Sequence, residues 1–211
     1  MSDRTICLDL DGTLITCEPR QSAVLRAALA ASGTSADVAK VWELKREGAT
    51  TEDALRALDL APDLAADVAR RWRDMVEQPF WLELDSAFPE ALSTLPLMKA
   101  NFELALITAR SRPEWAECQI RGMGLREFFS RVEIVSPSGQ HVAKTAVFKA
   151  IAPVAVFGDT ETDSRAAAAS NVEFYAVASG QRSSTFLRSE RAVTVSENLA
   201  EAWRAFAGKH R

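Results

Sequence analysis

Two carboxylates stand two residues apart in Asp9-Leu10-Asp11-Gly12-Thr13-Leu14, directly after the β-branched and apolar run Thr5-Ile6-Cys7-Leu8. Extended backbone turns residues i and i+2 to the same side. Both acids therefore face one crevice beyond the carboxyl end of a strand, where open α/β sheets bind ligands. Charges that close repel, so the pair needs a cation or must share a proton. A divalent metal meets that need. It also leaves one carboxylate free to attack and the other able to trade a proton.

Three further stretches could serve the same crevice. Thr108 follows the apolar run Leu104-Ala105-Leu106-Ile107. A hydroxyl at the tip of a buried strand can donate to a phosphate oxygen, although a Thr there also suits a helix cap. Ala109-Arg110-Ser111-Arg112 come next, and the two arginines either reach a substrate or lie in solvent. Lys144 falls near the start of an expected helix, where the helix dipole does not favour a cation. Lys149 competes with it but lies mid-helix, less able to aim at a strand end. In Gly158-Asp159-Thr160-Glu161-Thr162-Asp163, Asp159 sits at a strand tip as Asp9 does, and Asp163 serves either as a helix N-cap or at the metal. Oxygen-only ligands of this kind suit Mg²⁺.

The elements that must position these groups follow from the apolar pattern. Strands are expected at residues 5–10, 102–107, 132–135, 154–157, 172–177 and 192–195. Helices are expected at 88–95, 112–123, 143–151, 163–170 and 199–206. Apolar strands without polar alternation, each followed by a helix, imply a parallel sheet covered on both faces. Between residues 20 and 78 no strand-like run occurs. Helices are expected there at 21–32, 37–46, from Thr50, and from Pro62, with Leu64, Val68, Trp72 and Met75 on one apolar face. Trp42 and Trp72 read as core residues before they read as a stacking platform.

Composition narrows the classes of function. The chain has 211 residues, 47% hydrophobic and 26% charged, which is ordinary for a folded domain. Lys and Arg number 25 against 29 Asp and Glu, a formal net charge of −4, so no basic excess points to nucleic acid or to a membrane surface. The longest apolar runs are too short to span a bilayer. No signal-peptide pattern opens the sequence. Cys7, Cys17 and Cys118 form neither a CxxC pair nor a disulfide framework, and each reads as a small buried hydrophobe. A cytoplasmic protein is expected.

Taken in order, Asp9-Leu10-Asp11-Gly12-Thr13, Thr108, Lys144 and Gly158-Asp159-Thr160-Glu161-Thr162-Asp163 resemble the four motifs of the haloacid dehalogenase-like superfamily of phosphohydrolases. The likeness extends over essentially the whole chain, with Thr145 after the motif lysine where many relatives have Pro. It implies an α/β fold: a doubly wound, parallel-sheet, Rossmann-like core at 1–16 and 82–211, and a small all-helical cap of the C1 type at 17–81, inserted after the first strand. It implies a Mg²⁺-dependent phosphatase acting on a small phosphorylated metabolite. Asp9 would be the nucleophile that forms an aspartyl-phosphate, and Asp11 the general acid and base. Thr108, Ala109, Arg110 and Lys144 would hold the phosphoryl group. The metal would be bound by Asp9, Asp11 through its carbonyl, Asp159, and Asp163 directly or through water. Two alternatives remain open: a phosphomutase using the same aspartyl-phosphate, and a catalytically weak regulatory or binding member of the fold. A monomer and a dimer are both compatible with the sequence.

Overall fold

The computed structural model of the chain describes residues 4–190 and 194–210. Strand β1 (Thr5–Leu8) leads into α1 (Glu18–Ala31), α2 (Val38–Arg46), α3 (Thr51–Ala57), α4 (Pro62–Met75) and the single turn α5 (Pro79–Leu82). Helix α6 (Pro89–Lys99), β2 (Glu103–Ala109), α7 (Pro113–Gly122) and β3 (Arg131–Val135) follow. The chain then runs through α8 (Gln140–Ile151), β4 (Ala155–Gly158), α9 (Glu161–Ala169) and β5 (Glu173–Val177). It ends in α10 (Ser184–Ser189), β6 (Thr194–Ser196) and α11 (Leu199–Lys209). Two compact units divide it: Met1–Thr16 with Ser86–Arg211, and Cys17–Asp85.

In the first unit the strands form one parallel sheet in the order β3-β2-β1-β4-β5-β6. This is the doubly wound α/β arrangement expected from the sequence. Ile6 lies opposite both Leu104 of β2 and Ala155 of β4, so β1 is central. The strand order reverses at β1, which makes the crevice beyond the carboxyl ends of β1 and β4 the topological switch point. Alternate residues feed two cores. Ile6, Leu8, Leu104, Leu106 and Phe157 pack on the side of α6 and α11, with Leu95, Met98 and Phe206. Cys7, Ala105, Ile107 and Val156 pack on the other side, with Phe148 of α8, Ala166 and Ala167 of α9, and Leu187 of α10. The small side chains of α9 let its backbone approach the sheet closely. Burial pushes the Cys7 thiol up to about 12, so it stays an inert hydrophobe. Cys17 is buried as well, but Cys118 departs from the expectation and is exposed.

The second unit has its own core of Leu25, Leu29, Val41, Leu55 and Val68, contributed by α1 to α4. Asp37 caps α2 by accepting from the Lys40 N–H, and Thr50 caps α3 by accepting from the Asp53 N–H. Trp42 is buried, and Trp72 packs against the core with its Nε1 donating to the Gln21 carbonyl at 3.2 Å. Asp85 closes the unit by accepting from Arg20 Nε at 2.7 Å in a fully buried pair.

Element boundaries moved for local reasons. Helix α1 begins at Glu18, three residues before the expected start at 21, because Pro19 fits the first helical turn. Helix α8 begins at Gln140 after Gly139, so Lys144 lies in its second turn. Of the strand expected at 192–195, residues 192–193 fall outside the described residues, and β6 runs Thr194–Ser196. The short helix α10 carries no strong periodic signal. No helix among the described residues is long and apolar enough to cross a membrane.

Candidate active site

The loop after β1 is built to hold its carboxylates still. The Asp9 N–H donates to the Phe157 carbonyl at 2.9 Å, so the residue is tied to β4 as soon as β1 ends. Leu10 turns inward and is fully buried. Its carbonyl accepts from the Leu14 N–H at 2.9 Å, and the Gly12 N–H donates to the Ile15 carbonyl at 2.8 Å. That tight turn needs a left-handed residue, which Gly12 supplies at φ 73°.

Asp9, Asp11, Thr108, Ala109 and Lys144 line one cavity of about 130 Å³, and Gln181 and Arg182 line it as well. Lys144 reaches this strand-end crevice from α8. It is 3% exposed, and its Nζ donates to Asp9 Oδ1 at 2.8 Å and to Asp163 Oδ1 at 2.5 Å. Burial opposes the lysine's charge, but Asp163 and Asp9 together raise it above the ordinary lysine range. Lys149, the competing lysine, is exposed on the same helix. Thr108 is 1% exposed and lies inside β2, one residue before its end.

Asp159 follows β4 and is fully buried. Its Oδ2 accepts from the Gln181 N–H at 2.6 Å, while its Oδ1 is buried without a hydrogen-bond partner. Asp163 lies in the first turn of α9, not at its N-cap, which is Thr160. The Thr160 hydroxyl donates to Asp163 Oδ2 at 2.7 Å, so both Asp163 oxygens are engaged.

Arg110 goes where the sequence did not send it. Its N–H donates to the Val135 carbonyl, extending the β2–β3 ladder by one residue. Its guanidinium turns onto Asp11 as a fork, Nε to Oδ2 at 2.8 Å and Nη2 to Oδ1 at 2.7 Å. Gln119 of α7 accepts from the same Nη2 at 3.3 Å. Arg110 is buried under Asp11 and is not among the residues lining the cavity. Arg112 is exposed, with its guanidinium carbon 5.4 Å from the Trp115 ring.

The charges do not balance. Four carboxylates (Asp9, Asp11, Asp159, Asp163) meet two cations (Lys144, Arg110), an excess of two negative charges. Arg182 does not offset it, being paired with Glu161 through bonds of 2.6 and 2.8 Å. Without a metal, protons must make up the difference. Burial pushes Asp9 up to about 7 against the pull of Lys144, and burial with the neighbouring Asp9 charge pushes Asp159 well above the carboxylate range. Asp9, Asp159 and Asp163 each bring one carboxylate oxygen within 4.8 Å of the others. A divalent cation fits this site: the ligands are hard oxygens, the excess charge is two, and one buried oxygen of Asp159 has no partner.

The loop 178–182 was missed in reading the sequence. It follows a buried parallel strand, as Asp9, Thr108 and Asp159 do, and Ser179-Gly180 at such a position is a turn signal.

The fold and this site define the class. The sequence model of the haloacid dehalogenase-like hydrolases matches residues 4–171, and the chain belongs to that family. No curated protein matches the sequence. Among solved structures, a haloacid dehalogenase-like family hydrolase from Streptococcus pneumoniae superposes with a TM-score of 0.78 at 17% identity, over 98% of this chain and 100% of that one. A predicted phosphatase from Clostridium acetobutylicum gives 0.74 at 16% identity, over 97% and 98%. A predicted phosphoglycolate phosphatase from Haemophilus somnus 129PT gives 0.70 at 17% identity, over 98% and 99%.

Proposed function

We propose that this chain is a Mg²⁺-dependent phosphatase that hydrolyses a small phosphorylated metabolite through an aspartyl-phosphate on Asp9. The observation that carries the reading is the buried cluster in which Lys144 bridges Asp9 and Asp163 beside Thr108 and the open oxygen of Asp159. The names of the two phosphatases similar in fold agree with it.

Asp9 attacks phosphorus, and the leaving oxygen departs on the opposite side. Asp11 gives that oxygen a proton, then takes one from the water that cleaves the aspartyl-phosphate. One arm of the Arg110 fork must open for it to do so, because both Asp11 oxygens accept from Arg110 here. Lys144 and the Thr108 hydroxyl hold the transferring group and offset its charge. The Asp9 and Asp159 carboxylates and the Asp11 carbonyl would hold the metal, with Asp163 acting through water because both its oxygens are engaged. When bound, the metal supplies charge neutralisation for the phosphoryl oxygens and for the buried acids. The helical unit, Cys17–Asp85, takes the part of the cap expected from the sequence.

Phosphate release from a panel of phosphorylated metabolites, with Mg²⁺ or with EDTA, tests this. Metal-dependent net release supports the phosphatase, and transfer to a second hydroxyl of a sugar phosphate would favour a mutase instead.

Arg110 sharpens the reading. The fork holds the Asp11 carboxylate in one orientation and leaves the cavity lining to others. Arg110→Ala is expected to lower kcat about 10²-fold, the scale of lost general acid–base help, with KM changed only a few-fold. A raised KM with kcat unchanged would put Arg110 on the phosphate, as its sequence position had suggested.

The raised Asp9 pKa gives a pH signature. In the metal-free fold Asp9 keeps its proton up to about pH 7, against an ordinary value of 3.8. The stability this contributes is full below pH 3.8 and is lost as pH rises through about 7. A divalent cation then takes the place of the proton. The rise in melting temperature on adding Mg²⁺ is expected to grow between about pH 5 and about pH 8. An equal rise at both values would contradict carboxylate ligation at this site.

A further inference from the structure

The loop 178–182, between β5 and α10, carries no acid and no lysine, yet it touches the turn after β1, Asp159 and the first turn of α9. Ser179 Oγ donates to the Gly12 carbonyl at 2.7 Å. The Gln181 N–H donates to Asp159 Oδ2 at 2.6 Å. Arg182 ends the loop in its fork on Glu161, in the first turn of α9. The residues matched by the family end at 171, before this loop begins.

Gly180 is where the contact is tightest. A Cβ added there would lie 1.9 Å from Asp159 Oδ2 and 2.5 Å from the Gly12 Cα. A Cβ added to Gly12 would lie 2.1 Å from the same oxygen and 2.5 Å from the Gly180 Cα. Asp159 Oδ2 is thus seated between two backbones that have no side chains to keep them away. Gly180 has no left-handed φ, unlike Gly12. Its backbone would accept any residue, and only the carboxylate and the Gly12 backbone refuse one. An aspartate has two side-chain torsions. The two glycines and the Gln181 bond fix both, which leaves Oδ1 buried without a hydrogen-bond partner in a carboxylate that brings one oxygen within 4.8 Å of oxygens of Asp9 and Asp163.

We propose that residues 179–181 are a positioning segment that holds the Asp159 carboxylate ready for the metal, with Gly180 its critical residue. The inference rests on the metal assignment above. It makes the glycine a partner of the ligand, not a ligand. Groups that orient a metal ligand typically matter about 10- to 100-fold in metal affinity. Ser179 contributes one hydrogen bond to the same clamp, a smaller share.

The test is calorimetric titration of the metal-free full chain with Mg²⁺ alone, alongside melting curves in EDTA. No substrate is needed, so the result stands apart from the phosphatase assay. Gly180→Ala is expected to weaken Mg²⁺ binding about 10- to 100-fold. Ser179→Ala adds no atom, should fold in any case, and is expected to weaken binding roughly 2- to 10-fold, the scale of one hydrogen bond. If the loop only supports the fold, the variants will melt lower in EDTA with the Mg²⁺ dissociation constant unchanged, and that result overturns this inference alone. Should Gly180→Ala not fold, unchanged binding in Ser179→Ala overturns it equally. A wild-type chain that takes up no Mg²⁺ overturns the metal assignment and this inference together.

Discussion

Asp9→Asn will remove phosphate release almost entirely, on the order of 10⁶-fold, the scale of deleting a catalytic nucleophile. An amide cannot attack phosphorus, and no other side chain at the cavity stands where Asp9 does. Asp11, the nearest carboxylate along the chain, has both oxygens held by Arg110. The fold should persist. Asn is nearly the same shape, the Asp9 N–H bond to the Phe157 carbonyl is backbone, and Lys144 keeps Asp163. The cost of burying a charge at this position disappears as well. Phosphate release and a melting curve on the same preparation check both halves. A folded Asn variant that releases phosphate within tenfold of wild type would remove Asp9 as the nucleophile.

Lys144→Ala should damage both stability and catalysis. The ammonium is 3% exposed and touches two carboxylates that are themselves buried. Removing one side of a buried ion pair leaves an uncompensated charge, which typically costs about 3–5 kcal/mol. The loss should be larger near pH 8 than near pH 5, because a protonated Asp9 needs no counter-ion. Mg²⁺ should restore part of it by supplying positive charge to the same acids. It should not restore turnover. A fixed cation facing the transferring phosphoryl group is gone, and losing one such electrostatic contact is worth about 10²–10³-fold in kcat. Denaturant unfolding at the two pH values, with and without Mg²⁺, separates these effects. Lys149→Ala, an exposed change, is the control and should be silent in both. A reversal of the two lysines would contradict the site geometry.

What could be read in the sequence was local. The spacing of Asp9 and Asp11 after an apolar run needs only strand geometry. The apolar runs predict a parallel sheet because such sheets are buried on both faces. Asp159 and Thr108 follow from the same rule. Contacts between distant parts of the chain were not legible. Arg110 and Asp11 are 99 positions apart, and nothing local says that the fork turns inward to the acid and not outward to substrate. Gly180 meets Gly12 across a much longer gap, through a close approach that leaves no mark on hydropathy. Helix starts moved where one residue outweighed periodicity, as Pro19 did by fitting a first turn. Cys118 shows the limit of composition: a small apolar residue type on an amphipathic helix falls on whichever face its register dictates.

The most direct test of the account is to trap the phosphorylated enzyme. Wild-type chain with Mg²⁺ and its best phosphomonoester, quenched in acid within a turnover and digested, should yield a peptide containing Asp9 that is heavier by one phosphoryl group. Borohydride should reduce that acyl phosphate, and the peptide should be absent after EDTA treatment or in Asp9→Asn. Turnover with no acyl phosphate at Asp9 under any quench time, or a phosphoryl group found on another residue, would contradict the account.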